Sequence, residues 1–287
     1  MKLGVVFPHN EIGTDPGAIK AFVQGAEAQG ADHLLIYDHV LGADPNRPGG
    51  WRGPYDKDVA FHEPFTTMSF MAAVTSSITL ATAVLILPQR QTALVAKQAA
   101  EVALLSQGRL RLGIGTGWNQ VEYQALNEDF ANRGRRQAEQ VDLLRRLWLE
   151  DSLDYHGEWH RIDAASINPR PSQSIPIWFG GGAPALLKRC ARLGDGWVPL
   201  MGPNDAARSA LETLRTEREA AGLAWDGFGV QAQAQLEGGN PERWSKHANR
   251  WRELGCTHMA VATHNAGRAD VDAHLEGMEQ YFNAVAT

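Results

Sequence analysis

The sequence predicts an α/β fold, a (β/α)8 TIM barrel with an inserted hairpin and loop excursion around residues 151–174. Short apolar runs alternate with helical segments about eight times along the 287 residues, and regular alternation of this kind produces a parallel sheet. A chain of roughly 250 residues or more suits a closed barrel of eight such units. A doubly wound open sheet is the alternative. No obvious linker interrupts the pattern, so residues 1–287 are expected to form a single domain.

The first half of the chain supplies four strands, each an apolar run that leads into a helix. Thr14 or Asp15 can cap the first helix, which has Pro16 in its first turn, and Gly30 closes it. The strands are predicted at 3–7, 34–37, 78–87 (the third strand and its exit) and 109–114. The helices are predicted at 16–29, 64–76, 92–105, from about 119, and at 133–149.

The second half begins with the excursion and then resumes the alternation. His156-Gly157-Glu158 is typical of a hairpin turn between Leu153–Tyr155 and Trp159–Ile162. A proline-bearing loop follows. The remaining strands are predicted at 176–179, 196–199, 228–233 and 257–262, and the remaining helices at 184–193, 205–221, 241–254 and 269–284.

Composition excludes several classes of function. A net charge of −6 argues against non-specific nucleic-acid binding, and no basic block suggests a membrane surface. No apolar stretch approaches the roughly eighteen residues of a spanning helix, and the N-terminus lacks a signal-peptide layout. Cys190 and Cys256 are isolated and are expected in the core. We therefore expect a reducing, cytoplasmic setting as the default.

A glycine-rich turn follows the apolar run 175–179. Gly180, Gly181 and Gly182 lead through Ala183 into a helix with Pro184 in its first turn. Glycines let the backbone approach a ligand closely, and the free N–H groups at a helix start favour an anion. The pattern is typical of a phosphate-binding turn. A tight strand-to-helix turn without a ligand is the alternative interpretation.

In a barrel the functional residues lie at the C-terminal ends of the strands. This rule selects His9 and Asn10, Asp38 and His39, Ala83–Val84, Thr116–Asn119, Gly180–Ala183, and His264–Asn265. A histidine can carry a proton near neutral pH, so Asp38 and His39 could supply a polar anchor and an acid or base. A plain surface histidine is the alternative. The long loop 39–62 contains Trp51, Arg52 and Tyr55 and is expected to cover a substrate site.

The sequence lacks the motifs of several other common catalytic and cofactor-binding sites. There is no H-x-H, H-E-x-x-H or C-x-x-C, so no metal site is expected. The G-x-S-x-G nucleophile elbow is absent. The first strand-to-helix turn has no G-x-G-x-x-G, and Trp118 stands where the last glycine of such a motif would follow Gly113 and Gly115. We interpret the glycines at 113–117 as clearing space rather than binding a dinucleotide.

Seven stretches resemble the luciferase-like monooxygenase superfamily, in particular its F420-dependent oxidoreductases. They span most of the first 200 residues in the family's order. The last third of the chain resembles the family only in its alternation of strands and helices. The stretches are YDHVL (37–41), LATAVLILP (80–88), LSQGRL (105–110), LGIGTGW (112–118), RGRR (133–136), IWFGGG (177–182) and ARLGDGW (191–197).

The resemblance implies a flavin-type ring, of coenzyme F420 or alternatively FMN, held at the strand C-termini. Asp38 and His39 would flank the ring and substrate, with His39 transferring a proton and Asp38 orienting or anchoring. A cis peptide at Ala83–Val84 would bulge against the ring. Thr116 and Gly117 would line it, and Gly180, Gly181, Gly182 and Ala183 would bind the phosphate. The expected substrate contacts are His9, Trp51, Arg52, His62 and Trp118.

The leading hypothesis is therefore an oxidoreductase that transfers a hydride between F420 and a small organic substrate. The alternatives are a two-component FMN monooxygenase and a non-catalytic flavin-binding homologue. Some F420-dependent dehydrogenases carry an acid where this chain has Trp118 and a tryptophan where it has Ala43. These departures count against a sugar-phosphate dehydrogenase. By analogy, a homodimer and a flavin or F420 reductase are the expected partners.

Overall fold

The computed structural model describes residues 1–286, which form eleven strands and nine α-helices. The strands are β1 (Lys2–Val6), β2 (His33–Ile36), β3 (Thr79–Thr82), β4 (Leu85–Ile86), β5 (Leu110–Gly115), β6 (Leu153–His156), β7 (Arg161–Ala165), β8 (Ile177–Gly180), β9 (Gly196–Val198), β10 (Gly229–Gln235) and β11 (His258–Ala262).

The helices follow the predicted starts closely, and a 3-10 turn spans Leu87–Gln89. They are α1 (Pro16–Ala28), α2 (Pro64–Val74), α3 (Thr92–Leu105), α4 (Gln120–Ala125), α5 (Arg133–Leu149), α6 (Pro184–Leu193), α7 (Asp205–Ala220), α8 (Pro241–Glu253) and α9 (Val271–Val285). Asp15 caps α1, since its side chain accepts from the Gly17 N–H.

Eight parallel strands close into a barrel. Strand β1 pairs with β2 and β11, and the ring continues through β3, β5, β8, β9 and β10 back to β11. Strand β4 pairs in parallel with the C-terminal end of β5. The predicted (β/α)8 barrel is confirmed, and most of the predicted site residues lie at the mouth formed by the strand C-termini.

Alternation along each strand divides the core into two parts. One face of the strands packs on the surrounding helices in the main cluster, which includes Val5, Leu34 and Leu112. The other face points into the barrel, where a second cluster holds Val6, Leu35, Ala81, Ala83, Ala260 and Ala262. Small side chains inside the ring leave room for the site at its mouth.

The third barrel strand is interrupted within residues 78–87, which the sequence predicted to hold the strand and its exit. Strand β3 ends at Thr82 and β4 begins at Leu85, and the peptide bond between Ala83 and Val84 is cis. Both pieces pair with β5: Leu80 is opposite Leu110, and Leu85 is opposite Ile114. The direction of the strand is thus preserved, and only the residues at the cis bond leave the ladder. The resemblance implied this cis bond at the same place.

The predicted excursion forms the antiparallel hairpin β6–β7. One carboxylate fixes its turn: Glu139 on α5 accepts hydrogen bonds from the backbone N–H groups of Glu158, Trp159 and His160. His160 Nδ1 lies 2.7 Å from Glu139 Oε1, and His160 Nε2 lies 2.6 Å from Thr92 Oγ1 on α3. The hairpin is therefore held against two helices of the barrel.

Within residues 1–286, no helix is long and apolar enough to cross a membrane. The same residues contain no group of three or more histidine, cysteine or acidic side chains arranged to hold a metal ion. Cys190 and Cys256 are both free and buried in the core.

Candidate active site

A cavity of about 440 Å³ opens at the C-terminal mouth of the barrel. This volume lies within the usual range of small-molecule sites. The cavity gathers most of the predicted site residues, together with several side chains that the sequence did not single out. It is lined by Tyr37, Asp38, His39, Tyr55, Ala83, Val84, Ile86, Gly115, Thr116, Gly117, Trp118, Asn119, Glu122, Gly180, Gly181, Gly182, Ala183, Leu186, Leu200 and Gln233.

The glycines below the cavity make room for Val84. A Cβ atom on Gly115 would come within 2.5 Å of Val84 Cγ2, and one on Gly180 would come within 2.6 Å of Val84 Cγ1. A Cβ on Gly113 would meet the Thr82 carbonyl oxygen at 2.0 Å. No side chain fits at these positions, so the backbones of β5 and β8 approach the interrupted strand closely. The prediction that the glycines at 113–117 clear space is confirmed.

The turn between β8 and α6 presents unused N–H groups to the cavity. Gly181 has φ +127°, its N–H donates to Val198 O, and its carbonyl oxygen accepts from Trp197 Nε1 at 2.7 Å. Within the described chain, the N–H groups of Gly182 and Ala183 donate to no carbonyl or side chain. Helix α6 also lacks a capping side chain and an acid in its first turn. The turn is thus suited to receive an anion.

Asp38 is a buried anchor. Its Oδ1 accepts from Arg90 Nη2 at 2.7 Å, and its Oδ2 accepts from the Ile86 N–H at 2.9 Å and from Arg90 Nε at 3.3 Å. Burial by itself would lower the pKa of Arg90, but the Asp38 carboxylate raises it above its ordinary value. The carboxylate therefore ties the end of β2 to β4 and the segment after it. This geometry favours the anchoring role among those expected for Asp38.

His39 is paired with a carboxylate that the sequence did not reveal. His39 Nδ1 lies 3.2 Å from Glu122 Oε1 on α4. The same oxygen accepts from the Val40 N–H at 2.9 Å and from the Leu41 N–H at 3.4 Å. Glu122 is almost fully buried, and the pair joins the loop after β2 to the loop and helix after β5. Across residues 1–286, His39 Nε2 has no hydrogen-bond partner.

His9 and His62 lie one layer behind the cavity wall. His9 Nε2 accepts from the Tyr37 N–H at 2.9 Å, and its ring stacks on Tyr37. Burial lowers the pKa of His9 to about 3, and the neighbouring His62 adds to this effect. The Tyr37 hydroxyl donates to Gln233 Oε1 at 2.8 Å on the opposite side of the barrel. His9 therefore supports a cavity residue, and its predicted contact with substrate stays a prediction.

The loop 39–62 brings aromatic rings over His39. Tyr55 and Trp118 line the cavity, whereas Trp51 packs behind Trp118 with a ring-centroid distance of 5.8 Å. Trp51 Nε1 donates to the Tyr55 carbonyl oxygen. Arg52 is exposed on the loop and lies outside this wall. Trp51 was expected to contact the substrate, but it does not line the cavity and instead packs against the cavity residue Trp118.

Four polar side chains in or beside the cavity escaped the sequence analysis, namely Arg90, Glu122, Tyr37 and Gln233. A signal existed only for Glu122: Asn119 and Glu122 have the spacing of a capping box, in which the acid would reach back to the N-cap backbone. Asn119 does cap α4 through the Val121 N–H. Glu122, however, turns to Val40 and His39 instead. Its partner lies more than 80 positions earlier, so local spacing could not reveal the pair.

Two sequence relatives are informative. The chain is 34% identical over 246 residues to an uncharacterised protein of Mycobacterium tuberculosis, covering 80% of this chain and 85% of the relative. It is 34% identical over 198 residues to the F420-dependent glucose-6-phosphate dehydrogenase of Mycobacterium avium, covering 66% of this chain and 55% of that enzyme.

Solved structures share the fold at low sequence identity. A monooxygenase from Streptomyces bottropensis aligns with a TM-score of 0.82 at 18% identity, over 100% of this chain and 99% of that one. An F420-dependent secondary alcohol dehydrogenase in complex with an F420-acetone adduct aligns with a TM-score of 0.81 at 16% identity, over 99% of this chain and 98% of that one. The family described as luciferase-like monooxygenase matches residues 1–281. The chain therefore belongs to the luciferase-like monooxygenase family.

Proposed function

We propose that this oxidoreductase uses coenzyme F420 and transfers a hydride between the deazaflavin and a small organic substrate. The observation that carries the proposal is the His39–Glu122 pair, which faces the same cavity as the Ala83–Val84 segment and the unused N–H groups before α6. Relatives named F420-dependent glucose-6-phosphate dehydrogenase, at 28–34% identity, support F420 as the cofactor.

The residues present fit a flat ring with a phosphate-bearing side chain. The Gly115 and Gly180 backbones leave a smooth wall against Val84, on which a planar ring could lie. The N–H groups of Gly182 and Ala183 would donate hydrogen bonds to the phosphate oxygens without giving up an existing hydrogen bond. When bound, the deazaflavin accepts or donates a hydride at its C5.

His39 would move the substrate proton. With the Glu122 carboxylate beside Nδ1, the favoured neutral tautomer has its hydrogen on Nδ1, because a carboxylate can only accept. Nε2 is then left as the basic nitrogen on the cavity side. It would take the hydroxyl proton of an alcohol during oxidation and return a proton to a carbonyl oxygen during reduction.

Glu122 and Asp38 would have distinct supporting roles. Glu122 would orient the His39 ring and stabilise the imidazolium that forms when Nε2 takes a proton. Asp38 already accepts three hydrogen bonds, so it would hold β4 in place rather than exchange protons. The homodimer and the reductase partner stay predictions.

The cofactor decides between this proposal and an FMN-dependent monooxygenase, since a deazaflavin does not support the oxygen chemistry of FMN. The test is to titrate the pure protein with F420 and with FMN and to follow absorbance and fluorescence. We expect saturable binding of F420 and much weaker binding of FMN. Tight FMN binding without F420 binding would contradict the proposal, and binding of neither cofactor would favour a non-catalytic homologue without this cofactor.

The phosphate-binding turn can be tested separately by Ala183→Pro. Ala183 has φ −65°, which proline adopts without strain, so the substitution removes one N–H and keeps φ at this position. We expect F420 affinity to fall about tenfold. Affinity for the phosphate-free deazaflavin riboside should stay the same, which provides the control. Equal losses for both ligands would mean that the turn does not bind the phosphate.

A further inference from the structure

A second cavity of about 370 Å³ lies beside the first. The two share four lining residues: His39, Tyr55, Trp118 and Asn119. The second cavity continues under the loop 39–62, where Phe61 forms part of its wall. A cofactor ring in the first cavity would therefore leave adjoining space in which a substrate can reach His39.

Aromatic rings surround His39 at this junction. The centroids of Phe61, Tyr55 and Trp118 lie 4.6, 5.1 and 5.9 Å from that of the imidazole. Trp118 is 44% exposed although Trp51 packs behind it. A large aromatic face left open in a cavity wall suits a planar partner, because ring pairs at such distances attract each other beyond the effect of buried area.

The charges at the junction disfavour an anionic substrate. Among the described residues, the first cavity is lined by no lysine or arginine, and both of its carboxylates already accept hydrogen bonds. The second cavity has one cation, Lys57, whose Nζ lies 2.9 Å from Asp58 Oδ1, and Asp56 is on the same wall. The hydrogen bond from Lys57 to Asp58 raises the pKa of the lysine. Within residues 1–286, the walls of these two cavities therefore hold no unpaired lysine or arginine to receive a phosphate.

We infer that the substrate is an uncharged secondary alcohol or ketone with an aromatic ring attached to the reacting carbon. This inference rests on the proposed function and names its substrate class. The ring would lie between Tyr55 and Trp118, and the oxygen would meet His39 Nε2. In oxidation the C–H bond of the carbinol carbon breaks, and its electron pair leaves as hydride to oxidised F420. The hydroxyl proton goes to His39, and the C=O bond forms.

The test compares matched probes on the F420-loaded enzyme. Acetophenone and cyclohexyl methyl ketone have similar size, but only the first has a planar ring. Binding is measured by quenching of tryptophan fluorescence, and turnover is measured with reduced F420 and with 1-phenylethanol or 1-cyclohexylethanol plus oxidised F420. We expect acetophenone to bind about threefold to tenfold more tightly than cyclohexyl methyl ketone. We also expect 1-phenylethanol to have a higher kcat/KM than 1-cyclohexylethanol. Glucose 6-phosphate should be neither bound nor oxidised.

Trp118→Ala should remove most of the preference for the aromatic probe. Trp159→Ala is the matched control, since Trp159 lies in the hairpin beside Arg135 and should leave the preference unchanged. Equal binding of the two ketones, preference for the cyclohexyl probe, oxidation of glucose 6-phosphate, or no binding of either ketone to F420-loaded enzyme would each overturn the inference. Failure to bind F420 at all would instead overturn the proposed function.

Discussion

Two of the histidine–glutamate pairs in the molecule differ in what the second ring nitrogen does. In the hairpin, His160 Nδ1 meets Glu139 at 2.7 Å and Nε2 meets Thr92 at 2.6 Å, so both nitrogens are engaged. At the barrel mouth, His39 Nδ1 meets Glu122 at 3.2 Å, while Nε2 has no hydrogen-bond partner in residues 1–286. Both imidazoles are similarly shielded from solvent, with exposed side-chain fractions of 13% and 14%.

The comparison shows why a histidine beside an acid is not by itself evidence of catalysis. The Glu139–His160–Thr92 chain resembles a nucleophilic triad in residue types, yet Thr92 is buried and its hydroxyl also accepts from Gln140 Nε2. It connects a hairpin to two helices. The His39 pair instead leaves one basic nitrogen for a ligand in a cavity. The free nitrogen and the cavity, rather than the pair, distinguish a functional site.

The largest expected difference is in turnover. His39→Ala should lower kcat by about 100-fold to 10,000-fold, because general acid–base catalysis contributes that range. The F420 affinity should change little, since the ring and phosphate contacts remain. His160→Ala should leave kcat within about twofold. Steady-state assays of both variants, with cofactor binding measured in parallel, check this. Unchanged turnover in His39→Ala would remove that histidine from the mechanism.

For stability the order of the two pairs should reverse, so that a change in the hairpin pair lowers the free energy of unfolding while turnover is nearly unaffected. Glu139→Gln weakens four hydrogen bonds, and the pKa of Glu139 is lowered by the hydrogen bond from His160 even though burial opposes the charge. We expect a loss of about 2 kcal/mol in the free energy of unfolding, with kcat/KM nearly unchanged. Urea denaturation measures the loss, and Glu158→Gln, on the exposed hairpin turn, is the control. A large fall in turnover without a fall in stability would assign the hairpin pair a functional role.

A third set of histidines, the buried His9 and the partly buried His258, should produce a smaller effect that depends on pH. Burial lowers the pKa of both His9 and His258 to about 3. Because the unfolded state takes up protons below pH ~6.5 and the native state does not, stability is complete above that pH and falls as the solution is acidified. Each of these histidines contributes at most about 1.4 kcal/mol per pH unit to the change in the free energy of unfolding.

Denaturation at pH about 7.5, 6 and 5 measures this slope. His258→Gln should flatten it, whereas His156→Gln, an exposed position on β6, should not. A stability that is constant down to pH about 5 would mean that these histidines are protonated in the native state.

The sequence revealed the barrel because its evidence is local. Apolar runs, proline starts and glycine ends lie within a few residues of each other, and α3, α5 and α6 begin and end where predicted. Residues 78–87, predicted as the third strand and its exit, contain the cis bond at Ala83–Val84. Strand propensity does not report such a bond, and only the resemblance to the family implied it. The glycines at 180–182 and the Asp38-His39 pair were found because strand ends identify the barrel mouth.

The electrostatic partners could not be found in this way. Arg90 meets Asp38 across 52 positions, Glu122 meets His39 across 83, and Gln233 meets Tyr37 across 196. Only barrel closure brings these residues together, so no spacing rule relates them. The sequence therefore predicted which residues lie at the mouth, whereas the structure was needed to separate an anchor, Asp38, from a residue with a free basic nitrogen, His39.

The most direct test of this account is the kcat of Glu122→Gln, His39→Ala and the double variant, measured with F420 and the most rapidly converted alcohol of the probe panel. If Glu122 acts through His39, Glu122→Gln alone should lower kcat about tenfold or more, and the double variant should be no slower than His39→Ala within about twofold. A double variant whose loss is the product of the two single losses would contradict the claim that the two residues act as one unit.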